Sequence, residues 1–423
     1  MRELRDPDAP ASLAQPSRGF WSRISTFKAL GYRDYRYLWF TQVASSSGQW
    51  MEQTARGLLI YQMTGSAVSL GLVNLFRAVP MLIFGLLAGV VADRVDRKKL
   101  LIFTKLSMAM FSLITAVLIT TGLVRPWNLY LIAFLQGWVN AFEQPSRQSL
   151  IPYLVDRKDL VNAVALNSTA MNTTRIIGPS LAGILIAFVG MDGSYYVQAV
   201  ALGISALVVS RIRTPHIDNK AGNESILKNI KGGISYVMSN SVIATLLALA
   251  LVPMIFAQPY RNFMPVFSED VLNVGAVGLG LMLSAPGVGA LIGAVIVASL
   301  GDFKAKGKVL LGGAMAFGAT IVLFAITTNF ILVLVFLALT GAANTAYMAV
   351  NNSLLQTHTE DGFRGRVMSI YLLDRGLVPL GTMIASGLIE VLGPQAGVTI
   401  MGSITLLLAV GVALRFKHIR ELS

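Results

Sequence analysis

The chain reads as an all-α, polytopic membrane protein with twelve transmembrane helices in two pseudo-symmetric six-helix bundles, and three observations lead there. Hydrophobic residues make up 54% of the 423 and charged residues only 13%, against roughly 25% charged in soluble domains. The apolar residues gather in runs of about 20 or more, the length that crosses a ~30 Å hydrocarbon core as helix. Features of the first half also return in the second at a near-constant offset. A mean hydropathy of +0.65 sets a soluble globular fold aside.

Residues 1–35 are a polar N-terminal tail without the apolar stretch of a cleaved signal peptide. Insertion is therefore expected to rely on the first hydrophobic helix. The first bundle, 36–211, holds spans near 36–62, 67–92, 99–121, 127–150, 160–189 and 194–211, each ended by charged or Gly/Pro clusters. Residues 212–240 are the one long polar connection, and within it 225–231 reads as a short amphipathic segment lying at the interface. The second bundle, 241–415, holds spans near 241–267, 273–300, 307–328, 330–355, 365–392 and 396–415, and 416–423 form a polar tail.

Orientation follows from the basic residues. Arg94, Arg97, Lys98 and Lys99, the pair Arg157 and Lys158, the cluster Lys304, Lys306 and Lys308, and the pair Arg364 and Arg366 fall on one side with both tails and the linker. The alternate loops carry only Arg125, beside the acids Glu269 and Asp270. Basic loops resist translocation, so both termini and the linker are expected in the cytoplasm of a cell whose plasma membrane the chain spans. The net charge of +13 is thus a matter of topology, and no nucleic-acid partner is expected. With no Cys and with His216, His358 and His418 all in polar segments, neither a metal nor another cofactor is expected, and intramembrane proton chemistry falls to carboxylates.

The repeat shows in Arg175, Gly178 and Pro179 of the fifth span, which ends at Gly190, and in Arg375 and Pro379 of the eleventh, which ends at Gly393. Asp93 and Asp302, each followed by a basic cluster, close the second and eighth spans. Parallel repeats of this kind are a mark of transporters.

Polar residues recur at steps of three and four on four spans: Gln42, Ser45, Gln49, Glu52 and Arg56; Gln136, Asn140, Glu143 and Arg147; Gln258 and Arg261; Thr340, Asn344, Tyr347 and Asn351. Such spacing puts each set on one face of its helix. One stripe alone is equally a packing face, but four on spans one, four, seven and ten point to a shared aqueous cavity. Gln49, Glu52, Gln53, Trp138, Asn344, Tyr347 and Asn351 are the candidate substrate contacts, and Arg261 would attract an anionic group. Glu52 and Arg77 reach comparable depth and are expected to pair, either as a proton-coupling site or as a permanent structural ion pair. Asp374, beside Arg375, is the third coupling candidate and doubles as a conformational lock. Glu143 and Arg147 flank Pro145 and read as structural or gating. Gly85 with Gly89, and Gly289 with Gly293, have the spacing of close helix packing. No phosphate-binding loop, metal pair or nucleophile elbow is present, so the chain is not expected to be an enzyme.

The run Gly89-Val-Val-Ala-Asp93-Arg94-Val-Asp96-Arg97-Lys98 resembles the loop 2–3 signature of the major facilitator superfamily, with Asp96 where that signature has Gly. The resemblance implies that Gly89, Asp93, Arg94, Arg97 and Lys98 form a conformational switch, Asp93 bracing the eleventh helix in one conformer. Further segments are similar to the enterobactin-exporter-like branch, the transmembrane secretion effectors: Thr64 to Ala67, Phe142 to Gln148, Asn162 to Asn167, Gly178 to Gly183, and Arg364 to Ser369. Gly178, Pro179 and Gly183 resemble the helix-five motif of proton antiporters, though Ala182 stands where its fuller form has Gly. The helix-four pattern Arg-x-x-Gln-Gly survives only as Gln136-Gly137, with Ala133 where its Arg would be, so the proton role given to that Arg cannot be carried over, and Glu52, Arg77 or Arg147 would have to take it. The resemblance implies a monomer that alternates access around a midplane cavity and exports a small amphiphile, such as a siderophore, drug or secondary metabolite, against protons. Import or lipid flipping on the same fold remains the alternative, with a receptor or lipid-modifying enzyme behind it.

Overall fold

In hydrocarbon every backbone polar group needs an internal partner, which leaves helices as the means for a single apolar run to cross. The computed structural model describes residues 25–213, 235–300 and 305–422, apart from the side chains of 25–26, 86–94, 300 and 372–375. Twelve helical rods account for nearly all of it: α1 (Arg33–Thr64), α2 (Ala67–Arg94), α3 (Arg97–Thr120), α4 (Pro126–Leu150), α5 (160–189), α6 (191–210), α7 (Ser241–Val271), α8 (Gly275–Leu300), α9 (Lys306–Ile326), α10 (Phe330–His358), α11 (361–392) and α12 (Pro394–Arg415). The amphipathic segment expected at 225–231 lies outside the described residues.

Local sequence explains where the rods stop. Gly65 takes a left-handed conformation (φ 60°) and returns its N–H to the carbonyl of Tyr61, ending α1. Gly190 (φ 79°) and Gly393 (φ 85°) break α5 from α6 and α11 from α12 at corresponding points of the two halves. The Asp96, Asn240 and Asn329 side chains accept the orphan N–H groups that open α3, α7 and α10. Asp96 is the residue that departs from the loop signature, and its cap accounts for its presence.

Two rods are less regular than their apolar runs suggest. α7 passes through a π turn at Pro253–Ala257, a 3-10 stretch at Gln258–Phe263 and a second π turn at Phe267–Val271. Pro253, Pro259 and Pro265 each lack the N–H that an α-helical ladder requires. α11 carries a 3-10 break at Asp374–Leu377, just before Pro379.

α1–α6 pack as one bundle and α7–α12 as the other, with α5 on α8 and α2 on α11 forming the seams between them. At the α5–α8 seam a Cβ on Gly183 would stand 3.2 Å from the Cα of Gly280, and Ser180 Oγ donates to Ser284 Oγ at 2.7 Å. The end remote from the termini is closed by polar contacts across the halves. Tyr61 donates to Asp270, Gln62 donates to Glu269 at 3.5 Å, and Glu390 Oε2 accepts from Ala67 N (2.8 Å), Ser66 Oγ (3.1 Å) and Val68 N (3.3 Å). Gly289 and Gly293 meet the α10 backbone at Ala338 and Ala342. Gly85 has nothing within 4 Å, so the packing expected of it is absent; the side-chain environment of Gly89 lies outside the described residues.

Among the described residues, eight helical stretches are long and apolar enough to cross a membrane, the stretch Arg157–Ser210 containing both α5 and α6. α1, α4 and the broken α11 do not reach that standard. Phe188 (85% exposed) and Leu407 (67%) typify the apolar outer surface, as hydrocarbon requires.

Candidate functional site

The polar stripe of α1 faces inward, with Gln42, Ser45, Glu52 and Arg56 buried away from lipid, and it meets charges from α2, α3 and α4. Glu52 is 2% exposed. Its carboxylate sits 3.4 Å from Arg56 Nε, one turn along α1, and 3.5 Å from Arg77 Nη1 on α2. A second acid, Glu143 on α4, lies 3.6 Å from Lys105 Nζ on α3 and 3.8 Å from Arg147 Nη1, and Gln49 Nε2 donates to it at 2.8 Å. Lys105 also donates to Ser45 Oγ at 2.6 Å, and Arg147 donates to Gln42. Buried ions persist only when paired and hydrogen-bonded, so α1–α4 enclose two carboxylates, each held between two cations.

A cavity of about 630 Å³ lies where the two bundles meet. Its wall draws Gln53, Arg56 and Asn74 from α1 and α2, Arg175 and Pro179 from α5, Gln258, Arg261 and Asn262 from α7, and Asn344 and Asn352 from α10. Toward the end that carries the termini it reaches Met368 and Tyr371 of α11. A smaller cavity of about 120 Å³, lined by Gln49, Arg77, Asn140, Glu143 and Arg147, lies inside the first bundle.

The expected substrate contacts therefore divide. Gln53, Asn344 and Arg261 line the large cavity, and Gln49 lines the small one. Glu52 lines neither, being enclosed by its two arginines. Trp138 packs edge-on against Phe84 and Phe142 (ring centroids 6.2 Å apart in each pair) on a surface away from both cavities. Tyr347 and Asn351, contrary to expectation, line neither cavity: they are 2% and 0% exposed and turn toward α7. Tyr347 donates to the carbonyl of Leu249 at 2.5 Å, and Asn351 donates to that of Leu246 at 3.3 Å. Position 253, which would offer Leu249 its helical N–H, is a proline. Tyr347 supplies the missing donor.

Arg175 and Pro179 stand on the cavity wall, Gly178 faces the Trp50 side chain, and Gly183 packs on α8. Pro145 sits within α4 between Glu143 and Arg147. Arg97 donates to the carbonyl of Ser149 at 3.4 Å, and Lys98 N is capped by Asp96 at 2.9 Å. The side chains of Gly89, Asp93, Arg94 and Asp374 lie outside the described residues. Sequence reading singled out no role for Lys105; a basic residue within an apolar run, one span from an unexplained acid, was the available signal. Asn74, Asn262 and Asn352 were not singled out either, although Asn74 stands three residues before Arg77 and Asn262 four after Gln258, a helical spacing that was the available signal.

Near the start of α1, outside the membrane span, Tyr32 OH lies 2.8 Å from Asp156 Oδ2 and 2.9 Å from Asp159 Oδ2 and shares its one proton between them, and Lys28 pairs with Asp159 at 3.0 Å. Burial, reinforced by the two carboxylates, holds the Tyr32 phenol well above its usual range. The bond from Tyr32 holds the Asp156 carboxyl below the ordinary range.

Comparison with known proteins matches residues 24–423 to the family described as transmembrane secretion effector. A staphyloferrin A transporter of Staphylococcus aureus is 26% identical over 362 residues, covering 85% of this chain and 90% of that protein. The multidrug efflux pump Tap of Mycolicibacterium fortuitum is 26% identical, with 90% and 95% covered. Macrolide efflux protein A of Streptococcus pyogenes is 21% identical, with 91% and 96% covered. Among solved structures, a point mutant of the nucleoside transporter NupG superposes with a TM-score of 0.75 at 14% identity, covering 91% of this chain and all of that one. A bacterial homologue of the human lysosomal transporter Spinster, in an inward-facing and occupied conformation, superposes at 0.73 with 13% identity, covering 92% and 98%. At such identities the likeness is one of fold.

Proposed function

Because the chain belongs to the transmembrane secretion effector family of major facilitator superfamily transporters, we propose that it exports a small amphiphilic molecule in exchange for protons. It is a multi-pass membrane protein with efflux pumps among its relatives. The observation that carries the reading is the 630 Å³ cavity between the bundles, walled by both halves and mixing apolar groups with amides and arginines. Such a cavity admits an amphiphile, and rocking the halves about it exposes it to one side and then the other.

In this reading both termini are cytoplasmic, the closed end is the outer one, and a monomer suffices. Glu52 is the proton carrier, with Arg77 as its partner, and Asp374 is the second coupling group. Protonating Glu52 removes the charge that holds Arg56 and Arg77 together across α1 and α2, which frees those helices to move.

The test is proton movement in proteoliposomes bearing an imposed pH gradient, with siderophores and amphiphilic drugs added to wild type and to Glu52→Gln. A compound should collapse the gradient in wild type and fail to do so in the variant. Equal coupling in both removes Glu52 from the mechanism, and transport indifferent to the gradient overturns proton antiport.

A further inference from the structure

We infer that Arg56 of α1 and Arg261 of α7 form an oxyanion subsite in the large cavity, so that the cargo is an amphiphile bearing a carboxylate or phosphate-type group. The inference rests on the transport reading above and narrows its substrate class.

Three observations carry it. Among the described residues, the cavity wall contains Arg56, Arg175 and Arg261 but no Asp or Glu, and its other polar groups are mainly neutral amides. A cationic amphiphile would meet like charge there, which is a means of rejecting it. Next, Arg56 is only 3% exposed and engages Glu52 through Nε at 3.4 Å, while its Nη1 is buried without a hydrogen-bond partner. A buried donor left unmade is costly, and on a cavity wall a ligand acceptor removes that cost. Arg261, for its part, makes no ion pair or side-chain hydrogen bond among the described residues.

The two helices adjoin at this level. A Cβ on Gly57, next to Arg56, would lie 3.3 Å from the Cγ of Pro265, one turn beyond Arg261. An oxyanion bound here would be gripped by one guanidinium from each bundle, the planar donor forks that suit carboxylate and phosphate oxygens. Gln258 Nε2 donates to Asn344 Oδ1 at 3.2 Å on the same wall, which leaves amide groups for the neutral part of the cargo.

The test is equilibrium binding to the purified full chain in nanodiscs, with no gradient imposed. The probes are dansylglycine, dansyl-aminoethyl phosphate, the neutral dansylglycinamide and the cationic dansylcadaverine, read by energy transfer from Trp50 on the cavity wall, with Trp50→Phe as the control for signal origin. The two anions should compete with each other. At least one should bind about tenfold or more tighter than the carboxamide, as a charge-assisted bond to Arg requires. Arg261→Gln should abolish that preference and Arg261→Lys should keep part of it. Both variants are checked for wild-type elution and helicity, and Arg56→Gln serves as an independent second variant.

A tighter carboxylate identifies an organic acid and a tighter phosphate a lipid-like headgroup; either supports the subsite. Equal affinity for the carboxamide, preference for the ammonium probe, no saturable binding of either anion, or a preference unchanged in the Arg261→Gln and Arg56→Gln variants overturns it. Selective binding of the ammonium probe would overturn the subsite with the transport reading intact. Anion-selective binding without transport in the liposome assay would do the reverse.

Discussion

Replacing Glu143 by Gln leaves Lys105 and Arg147, whose side chains are 2% and 5% exposed, without a carboxylate between them. Gln keeps an acceptor for the amide of Gln49, which bonds Glu143 at 2.8 Å, so the damage is confined to the charge. Stranding one member of a buried pair costs about 3–5 kcal/mol, and the retained hydrogen bond puts this case near 3. In a unit the size of the first bundle, about 1 kcal/mol moves the unfolding midpoint by roughly 2–4 °C, which predicts a fall of about 6–12 °C. Lys105→Met removes a cation instead, and Glu143 keeps Arg147 and Gln49. Its cost is that of one hydrogen bond to Ser45, about 1 kcal/mol. The double variant, with one stranded cation fewer, should unfold at a higher temperature than Glu143→Gln alone. Thermal unfolding in detergent, followed by tryptophan fluorescence, reads all four proteins. A Glu143→Gln midpoint within about 2 °C of wild type, or a double variant as damaged as the two singles added together, would refute the reasoning.

Glu390→Ala should loosen the closed end. It strips the acceptor from Ala67 N, Val68 N and Ser66 Oγ, a loss of about 1 kcal/mol. Maleimide labelling of a cysteine placed at the buried Ser386, in a chain with no native Cys, should rise about fivefold; unchanged labelling argues against this contact as a latch. Gly280→Val drives a side chain toward the Pro179 carbonyl at 2.6 Å and the Ser180 Cα at 3.1 Å, so it should shift the same probe in the same direction, while Gly85→Val, in open space, should not. Tyr32→Phe removes the bond that depresses the Asp156 carboxyl. Because that carboxyl is held lower in the folded chain than in the unfolded one, its contribution is present above the unfolded value of about 3.9 and is lost as pH falls through the depressed one. Midpoints measured across pH should show the wild-type advantage steady near neutrality and shrinking in acid; an advantage that grows in acid contradicts the assignment.

What the sequence disclosed about the site depended on how local each contact is. Glu52 with Arg56, and Glu143 with Arg147, are single-turn pairs, visible from spacing alone. Lys105 meets Glu143 only because α3 lies beside α4, and no periodicity within either helix reports that distance. Tyr347 and Asn351 share a stripe with Asn344, yet α7 claims both for packing, Tyr347 at the Leu249 carbonyl that Pro253 leaves without a helical donor and Asn351 at the carbonyl of Leu246. The fold itself was readable because hydrocarbon imposes one rule on every span. The π and 3-10 turns of α7 were not, since Pro253, Pro259 and Pro265 announce an interruption without saying which irregular helix will absorb it.

The shortfall in apolarity of α1 and α4 bears on how the chain is made. A charge at the centre of a lone helix costs about 2.5–3.5 kcal/mol during insertion, so each of these segments enters lipid less readily alone than with the helix beside it. Each acid has one cation a turn away on its own helix, Arg56 for Glu52 and Arg147 for Glu143, and takes a second from the rod beside it in synthesis order: Arg77 of α2 for Glu52, and Lys105 of α3 for Glu143. The nascent chain is thereby suited to enter lipid two helices at a time, each pair closing its carboxylate between two cations. A fragment ending after α1 should integrate less completely than one ending after α2.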